Sequence, residues 1–469
     1  MNSILLLTQH EWPRTLEVNM TCLIKNPTNA FVHIEVGMSR VIIDPWVQSG
    51  LYYGGWSQFP EIENQDKLLA CATHLYISHL HEDHCDPNAL SKMDKKIKAF
   101  IPNVFASHAL KRKLQDAGFE NITFLEPGVP TKVDDGISFE VIPPLNGFGQ
   151  ESEHYVENDS LIETTAIDTG LIITTLDYKL VFLADNTPYL YKKYLNVLTN
   201  LYSADLIAFP YNGAASDYPV CYLNIDDEEM ISISNLRESR RELAFEEFFG
   251  EVKPSLLMPY SSDFAVIGKA ARRFSKFSKM WWMNRSLVAE RYAESTGIPA
   301  IAVNGCDLLC LSKESNALEF KLTRGVDNPQ SLEDFSRNLI HVPSSVDELF
   351  KYSGIDLIAL TKIATEHMFN SIEQFKIKCD WIFLVTITDL SIDIAIDLNI
   401  ASIVQSYSDD RKLLNVRLNS GYLEALLTGK AHWNNAQLSF QLEWIRTPNT
   451  YSHDLYTAIN FFHAARNKS

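Results

Sequence analysis

The segment Leu75-Tyr-Ile-Ser-His79-Leu-His81-Glu-Asp83-His84-Cys-Asp86 constrains this chain more than any other. An apolar strand runs straight into three histidines interleaved with acids. Alternate side chains of a strand share a face, so His79 and His81 point the same way and can grip one ion. Once the chain turns, Asp83 and His84 can reach a second ion about 3.5–4 Å from the first, a spacing typical of two-metal sites. Imidazole with carboxylate suits zinc, iron or manganese and leaves positions open for water or substrate. A merely solvated loop would not explain why the histidines follow a buried strand at face-sharing spacings.

The flanking sequence supplies a scaffold. CLIK, AFVHIEV, SRVIIDPW, THLYISHL, KAFIPNVF, NITFLEPG and ISFEVIPP read as short strands. ASHALKRKLQDAG reads as a helix ended by Gly118. GLIITTLDYKLVFLAD reads as a hairpin, with DLIAFPY and SLLMPYSS as later strands and RRELAFEEFFGEV and SLVAERYAESTG as helices. Strands and helices in this order predict a layered α/β architecture.

Charged and turn residues replace strands around 312–345, and a fresh series follows. SSVDELFKYSGIDLIALTKIATEHMF reads as helical, WIFLVTIT, SIDIAIDLN and ASIVQSY as strands, LNSGYLEALLTGKAHW as a helix, AQLSFQLEWIR as a strand and SHDLYTAINFFHAA as a last helix. A chain of 469 residues is long enough for two cores. The expectation is a catalytic unit over residues 1–315 and a smaller α+β domain over 340–469, separable from each other.

Composition narrows the partners. Lys plus Arg number 41 against 59 Asp plus Glu, a balance of −18 that argues against nucleic acid or an anionic membrane as the main partner. The start, MNSILLLTQHEWPR, has no basic stretch ahead of its short apolar run, so no secretory signal is expected. Nor is there an apolar stretch of about 18 residues to span a membrane. Seven scattered cysteines suggest reduced thiols and a cytoplasmic protein. Cys306 and Cys310, in an apolar run, are expected in the core. The expected partner is a small-molecule substrate, and a homo-oligomer is compatible with the sequence.

HLHEDH matches the HxHxDH signature of the metallo-β-lactamase superfamily in every specified position. VIIDPW upstream and FLADNTP downstream resemble the same superfamily, over roughly residues 15–310. The resemblance implies an αββα sandwich, with His79 and His81 in a first metal site and Asp83 and His84 in a second. It further implies Asp185 as the bridging aspartate and two divalent metal ions, zinc or iron, as cofactors. Asp83 would orient the reactive water as well as ligate.

Two ligands of the superfamily pattern lack an obvious match. A third histidine is expected about 20 residues before the bridging Asp. His154 lies 31 residues before Asp185, and Glu163, the preferred candidate, lies 22 before it. The last histidine has no counterpart in LLMPYSSDF, where Asp263 is the candidate substitute and Tyr260 a weaker one.

DPWVQSGLYYGGW, PYNGAASDYPVCY and LLMPYSSDF resemble the lactamase-like part of CMP-N-acetylneuraminate hydroxylases and their bacterial relatives. The Rieske iron–sulfur motif of those hydroxylases has no counterpart here, because no cysteine–histidine pairs occur at the needed spacing. Trp46, Tyr52, Tyr53 and Trp56 read either as loop packing or as an aromatic wall beside the metal pocket. The C-terminal stretch LNSGYLEALLTGKAHWNNAQLSFQLEWI resembles the sterol-carrier-like α+β fold, with His432 and Trp433 read as packing.

Three functions follow as expectations. The first is a hydrolase that activates water on an ester, amide or phosphoester. The second is a dinuclear iron oxygenase on the same fold, favoured by a carboxylate such as Glu163 in place of a histidine. The third is a metal-binding scaffold without catalysis.

Overall fold

A computed structural model describes residues 21–62, 65–104, 107–143, 167–186, 201–211, 217–261, 263–277, 285–314, 317–325, 332–343 and 345–464. His154 and Glu163 lie outside them.

The N-terminal part is built from β1 (Thr21–Thr28), β2 (Phe31–Val36), β3 (Ser39–Ile43), β4 (Trp56–Gln58), β5 (His74–Tyr76), β6 (Lys98–Pro102), β7 (Ile122–Leu125), β8 (Thr131–Asp134), β9 (Ile137–Ile142), β10 (Gly170–Thr175), β11 (Lys179–Phe182), β12 (Leu206–Pro210), β13 (Leu256–Tyr260), β14 (Phe264–Val266), β15 (Leu308–Glu314) and β16 (Ala317–Thr323). One sheet has the order β16-β15-β1-β2-β3-β5-β6-β7 and a second the order β13-β12-β11-β10-β9-β8. β4 and β14 form a separate pair.

Side-chain alternation assigns each strand face to a layer. Val41 and Ile43 of β3, with Leu171 and Ile173 of β10 and Leu180 and Phe182 of β11, fill the core between the two sheets. Their neighbours face outward. Ile42 packs with Leu90, Leu110 and Leu114 of the helices Pro87–Lys92 and Ser107–Asp116. Ile172 and Val181 pack with Phe245, Phe249, Val288 and Tyr292 of Asp227–Val252 and Arg285–Thr296. Helix, sheet, sheet, helix: the αββα layering follows from the burial pattern itself. Gly118, at the end of Ser107–Asp116, takes the left-handed conformation expected of it (φ 95).

The C-terminal part is α+β. β17 (Trp381–Ile387), β18 (Ile392–Asp397), β19 (Ser402–Val404), β20 (Lys412–Leu418) and β21 (Glu443–Thr447) form a sheet of order β19-β18-β17-β20-β21. Helices Leu357–Gln374, Ser420–Thr428, Trp433–Leu438 and His453–Asn460 accompany it.

Several expectations need correcting. The stretch after residue 312 is not strand-free, because β16 pairs with β15 along its whole length and carries the first sheet past residue 315. The helical reading of 344–369 breaks at Gly354 (φ 84), and Asp356 caps the new helix by accepting from the Ile358 and Ala359 amides. In AQLSFQLEWIR the first residues finish the helix Trp433–Leu438, which His432 caps by accepting from the Asn434 amide, and only Glu443–Thr447 is strand. β20 was not anticipated. Cys306 is exposed and Cys310 half-buried rather than core, and all seven cysteines are free thiols.

The two parts also share a core. One buried cluster joins Trp46, Tyr52 and Trp56 to Tyr218, Tyr222 and Phe264, and onward to Phe383, Trp433 and Trp444. No helix among the described residues is long and apolar enough to cross a membrane.

Candidate metal centre

The centre forms where parallel strands of both sheets end. β3 and β5 are parallel, as are β11, β12 and β13. After β3, β11 and β13 the chain leaves the sheet through a left-handed residue, namely Asp44 (φ 46), Ala184 (φ 49) and Ser261 (φ 57). For non-glycine residues this conformation is uncommon and clusters at functional sites.

His79 and His81 are brought together as expected, with His79 Nε2 only 2.8 Å from His81 Nδ1. The carboxylate beside them is Asp168, whose Oδ1 is 3.5 Å from His79 Nε2. His84 Nε2 lies 3.1 Å from Asp185 Oδ1, and His79 Nε2 lies 3.7 Å from Asp185 Oδ2. Among the described residues two groups could therefore hold a metal ion, His79–His81–Asp168 and His79–His84–Asp185, the donor atoms of each within 4.8 Å of one another. His79, three residues beyond β5, belongs to both.

Asp168 was not singled out in the sequence, yet strand register could have found it. Leu171 of β10 pairs with Phe182 of β11. Asp168 precedes that pair by the same three residues by which Asp185 follows it, so an antiparallel hairpin sets the two acids side by side at one end.

A second layer orients these donors. Asp44 Oδ2 is 2.8 Å from His84 Nδ1, while Ser78 donates its amide to Asp44 Oδ1 at 2.7 Å and its hydroxyl to Oδ2 at 2.6 Å. The Ser78 hydroxyl also lies 2.9 Å from His79 Nδ1. Asp83 lies outside both donor groups but beside them, with Oδ2 3.4 Å from His84 Nε2. It accepts from the Tyr52 hydroxyl at 2.5 Å and from Asn29 Nδ2 at 3.0 Å. Ser261 donates its hydroxyl to Asp185 Oδ1 at 3.2 Å, and the Ala184 amide donates to the Tyr260 hydroxyl at 2.5 Å.

Asp263 takes no part. It forms a buried ion pair with Arg285 and accepts from the Tyr211 hydroxyl. A guanidinium as buried as Arg285 requires a carboxylate partner, and Asp263 serves that need rather than an ion's. Among the described residues of LLMPYSSDF, Ser261 is bonded to a donor of the centre, Asp185.

Electrostatics fit a cation. Burial, helped by the charges of His84 and His81, drives the His79 pKa well below normal, leaving a neutral ring with a free lone pair. Burial opposes charge on His84 too, but Asp185, Asp83 and Asp44 outweigh it and raise its pKa well above normal. Burial would raise Asp83, yet the charge and hydrogen bond of His84 hold it low. Asp168 is pushed up to about 6, by burial first and by Asp185 further. Among the described residues, His84 Nε2 and Asp168 Oδ1 are buried without a hydrogen-bond partner. Buried polar atoms are rarely left so, and an ion in each donor group would satisfy one of them.

The aromatic segment before the motif is largely packing. Trp46, Tyr52 and Trp56 are buried, with Trp56 stacked on Phe264 at 3.6 Å. Trp433 is packing as well, its Nε1 donating to the Phe462 carbonyl.

No protein-family model matches the chain. Over 89 residues it is 34% identical to a putative Rieske 2Fe-2S iron-sulfur protein of Mycolicibacterium smegmatis, a match covering 19% of this chain and 17% of that one. Over 120 residues it is 28% identical to the cytidine monophosphate-N-acetylneuraminic acid hydroxylase of Danio rerio, covering 24% and 20% respectively. The matches thus span about a fifth of these relatives' length. Among solved structures, the metallo hydrolase Igni18 of Ignicoccus hospitalis aligns over 63% of this chain and 100% of its own, at 16% identity and a TM-score of 0.37. CmlA, a diiron β-hydroxylase from Streptomyces venezuelae, aligns over 62% and 54%, at 13% identity and a TM-score of 0.40.

Proposed function

We propose that this chain is a dinuclear metalloenzyme of the metallo-β-lactamase superfamily, acting on a small molecule, and that its donor set favours an iron-dependent oxygenase. The observation that carries the choice is Asp168, whose buried, unpartnered Oδ1 lies 3.5 Å from His79 Nε2 and supports a carboxylate, rather than a third histidine, as the further donor beside His79 and His81. A carboxylate is a harder ligand than imidazole and suits iron better than it suits zinc. The partial similarity to a hydroxylase supports the same direction.

His79, His81 and Asp168 would hold one ion, and His84, Asp185 and Asp83 the other. A bound iron pair supplies redox chemistry with dioxygen, whereas a zinc pair supplies an activated water. The protein's own part is orientation. Asp44 fixes the His84 ring through Nδ1, Ser78 holds the His79 ring, and Ser261 holds Asp185.

The second reading is hydrolysis of an ester, amide or phosphoester, favoured by the close His79–His81 pair, which suits zinc equally. Metal content and optical spectra of protein purified without chelators test the choice. Two irons per chain with oxygen-sensitive spectra are expected. Two zincs would transfer the assignment to hydrolysis, and less than one tightly held metal would leave only a scaffold.

A further inference from the structure

One of the motif's two unspecified positions is occupied by Glu82, and its carboxylate is not idle. Oε2 accepts from the Tyr52 amide at 2.6 Å, and Oε1 accepts from Asn435 Nδ2 at 2.9 Å. One acid of the metal motif thus ties the aromatic loop to the helix Trp433–Leu438 of the C-terminal part.

That loop is gripped elsewhere by the same part of the chain. The Tyr53 hydroxyl accepts from the His432 amide at 2.8 Å, and the Tyr53 carbonyl accepts from the Ser345 hydroxyl at 2.7 Å. The Tyr53 ring packs edge-on against Phe350 and Tyr422. Trp56 Nε1 donates to the Leu438 carbonyl at 2.6 Å. Between them, a Cβ on Gly55 would sit 2.0 Å from the Ser439 carbonyl oxygen, so the two backbones touch there.

Tyr52 and Tyr53 are both left-handed, with φ of 51 and 59. Bulky residues adopt that conformation only where their surroundings enforce it. The enforced turn delivers the Tyr52 hydroxyl to Asp83 Oδ1 at 2.5 Å. With Oδ1 so engaged, and Asn29 on the far oxygen, Asp83 is held with Oδ2 3.4 Å from His84 Nε2.

We infer that the C-terminal part is a working component of the metal centre: through Asn435, Glu82 and Tyr52 it sets the orientation of Asp83 for the second ion. Tyr52 is then a positioning residue, and the C-terminal helix contributes to the site without a ligand of its own. This rests on the assignment of Asp83, His84 and Asp185 to a metal site. Partners of this kind hold a ligand's donor atom in place, and losing one typically costs tenfold or more in metal affinity.

Cobalt(II) titration of the metal-stripped full chain tests it, because the ion's visible bands report the geometry of each site. The wild type should take up two equivalents. Tyr52→Phe, which keeps the buried ring, should bind the first equivalent as the wild type does. It should hold the second about tenfold more weakly, with altered visible bands. Asn435→Ala should move the second step in the same direction by a smaller factor. If the wild type binds two cobalt ions and neither variant changes the second step, the inference is overturned while the metal centre stands. If both steps weaken together and the melting temperature falls, Tyr52 is merely packing and the inference is again overturned. If the wild type binds fewer than two, the metal centre falls and the inference with it.

Discussion

His84 is held from behind by Asp44, whose Oδ2 lies 2.8 Å from His84 Nδ1 while the ring's Nε2 faces Asp185 Oδ1 at 3.1 Å. The second-layer acid therefore decides which nitrogen can serve an ion. Asp44→Asn tolerates the left-handed backbone but removes the charge that fixes the tautomer. It should weaken binding of the second ion about 10–100-fold with little loss of fold, as read by competition against a chromogenic chelator. Unchanged affinity would show that Asp44 is structural only.

His79 and His81 are assigned to the same ion with Asp168. The two alanine variants should therefore behave alike. Each should lose at least one metal equivalent, with nearly all activity lost and the fold retained. Elemental analysis beside circular dichroism checks both. Full stoichiometry in either variant would remove that histidine from the site.

Asp168→Asn isolates the carboxylate in the first group. Removing its charge should lower retention of the first ion at least tenfold and tilt uptake from iron towards zinc. Glu163→Gln and His154→Ala should leave metal content unchanged, since Asp168 already lies beside His79. Loss of metal on either of those two changes, with Asp168→Asn silent, would restore the earlier candidates.

The histidine motif was legible because it is local, although β5 ends at Tyr76 and it is the turn after the strand, not strand alternation, that brings His79 and His81 together. The hairpin GLIITTLDYKLVFLAD was legible for the same reason. Asp168 was missed because spacing from Asp185 was counted along the chain, whereas proximity is set by the register of β10 on β11. Asp263 misled because its acid is consumed by Arg285, a partner from a helix after residue 284. The roles of Tyr52 and Glu82 were hidden too. They depend on Asn435 bonding Glu82 and on His432 bonding the neighbouring Tyr53, each more than 300 residues away in sequence.

A buried histidine outside the centre sets an acid limit on stability. Burial first, then Lys25 and Arg40, lowers the His33 pKa to about 4 from an ordinary 6.5. A folded value below the unfolded one means the fold favours the neutral ring. Its contribution is complete above about pH 6.5 and lost as pH falls towards 4, a difference of roughly 3 kcal/mol. Asp217, raised to about 7 by burial, acts in the opposite sense, so the comparison must be between variants. His33→Gln should flatten the fall in urea midpoint between these pH values. An equally steep fall would place the acid sensitivity elsewhere.

Trp444 tests whether the two parts of the chain are energetically one. It sits on β21 and is wholly buried, yet its main partners come from the N-terminal part. Its amide donates to the Cys221 carbonyl at 2.9 Å, its carbonyl accepts from the Leu223 amide at 2.7 Å, and its Nε1 donates to Asp217 Oδ2 at 2.5 Å. Tyr222 stacks on it with ring centroids 6.3 Å apart. Trp444→Ala should therefore cost about 3–5 kcal/mol, through a cavity and an Asp217 carboxylate deprived of its donor. If the core is shared, that loss should appear as one cooperative transition moved to lower urea, with fluorescence and far-ultraviolet dichroism falling together. The earlier expectation of separable units demands the reverse: two transitions, and a stable N-terminal fragment near residue 310 on limited proteolysis. The continuous cluster from Trp46 to Trp444 favours the single transition. A fragment ending near 310 would also lose β16 and cut through β15, and leave Trp56 without the Leu438 carbonyl it donates to, so it should aggregate rather than survive.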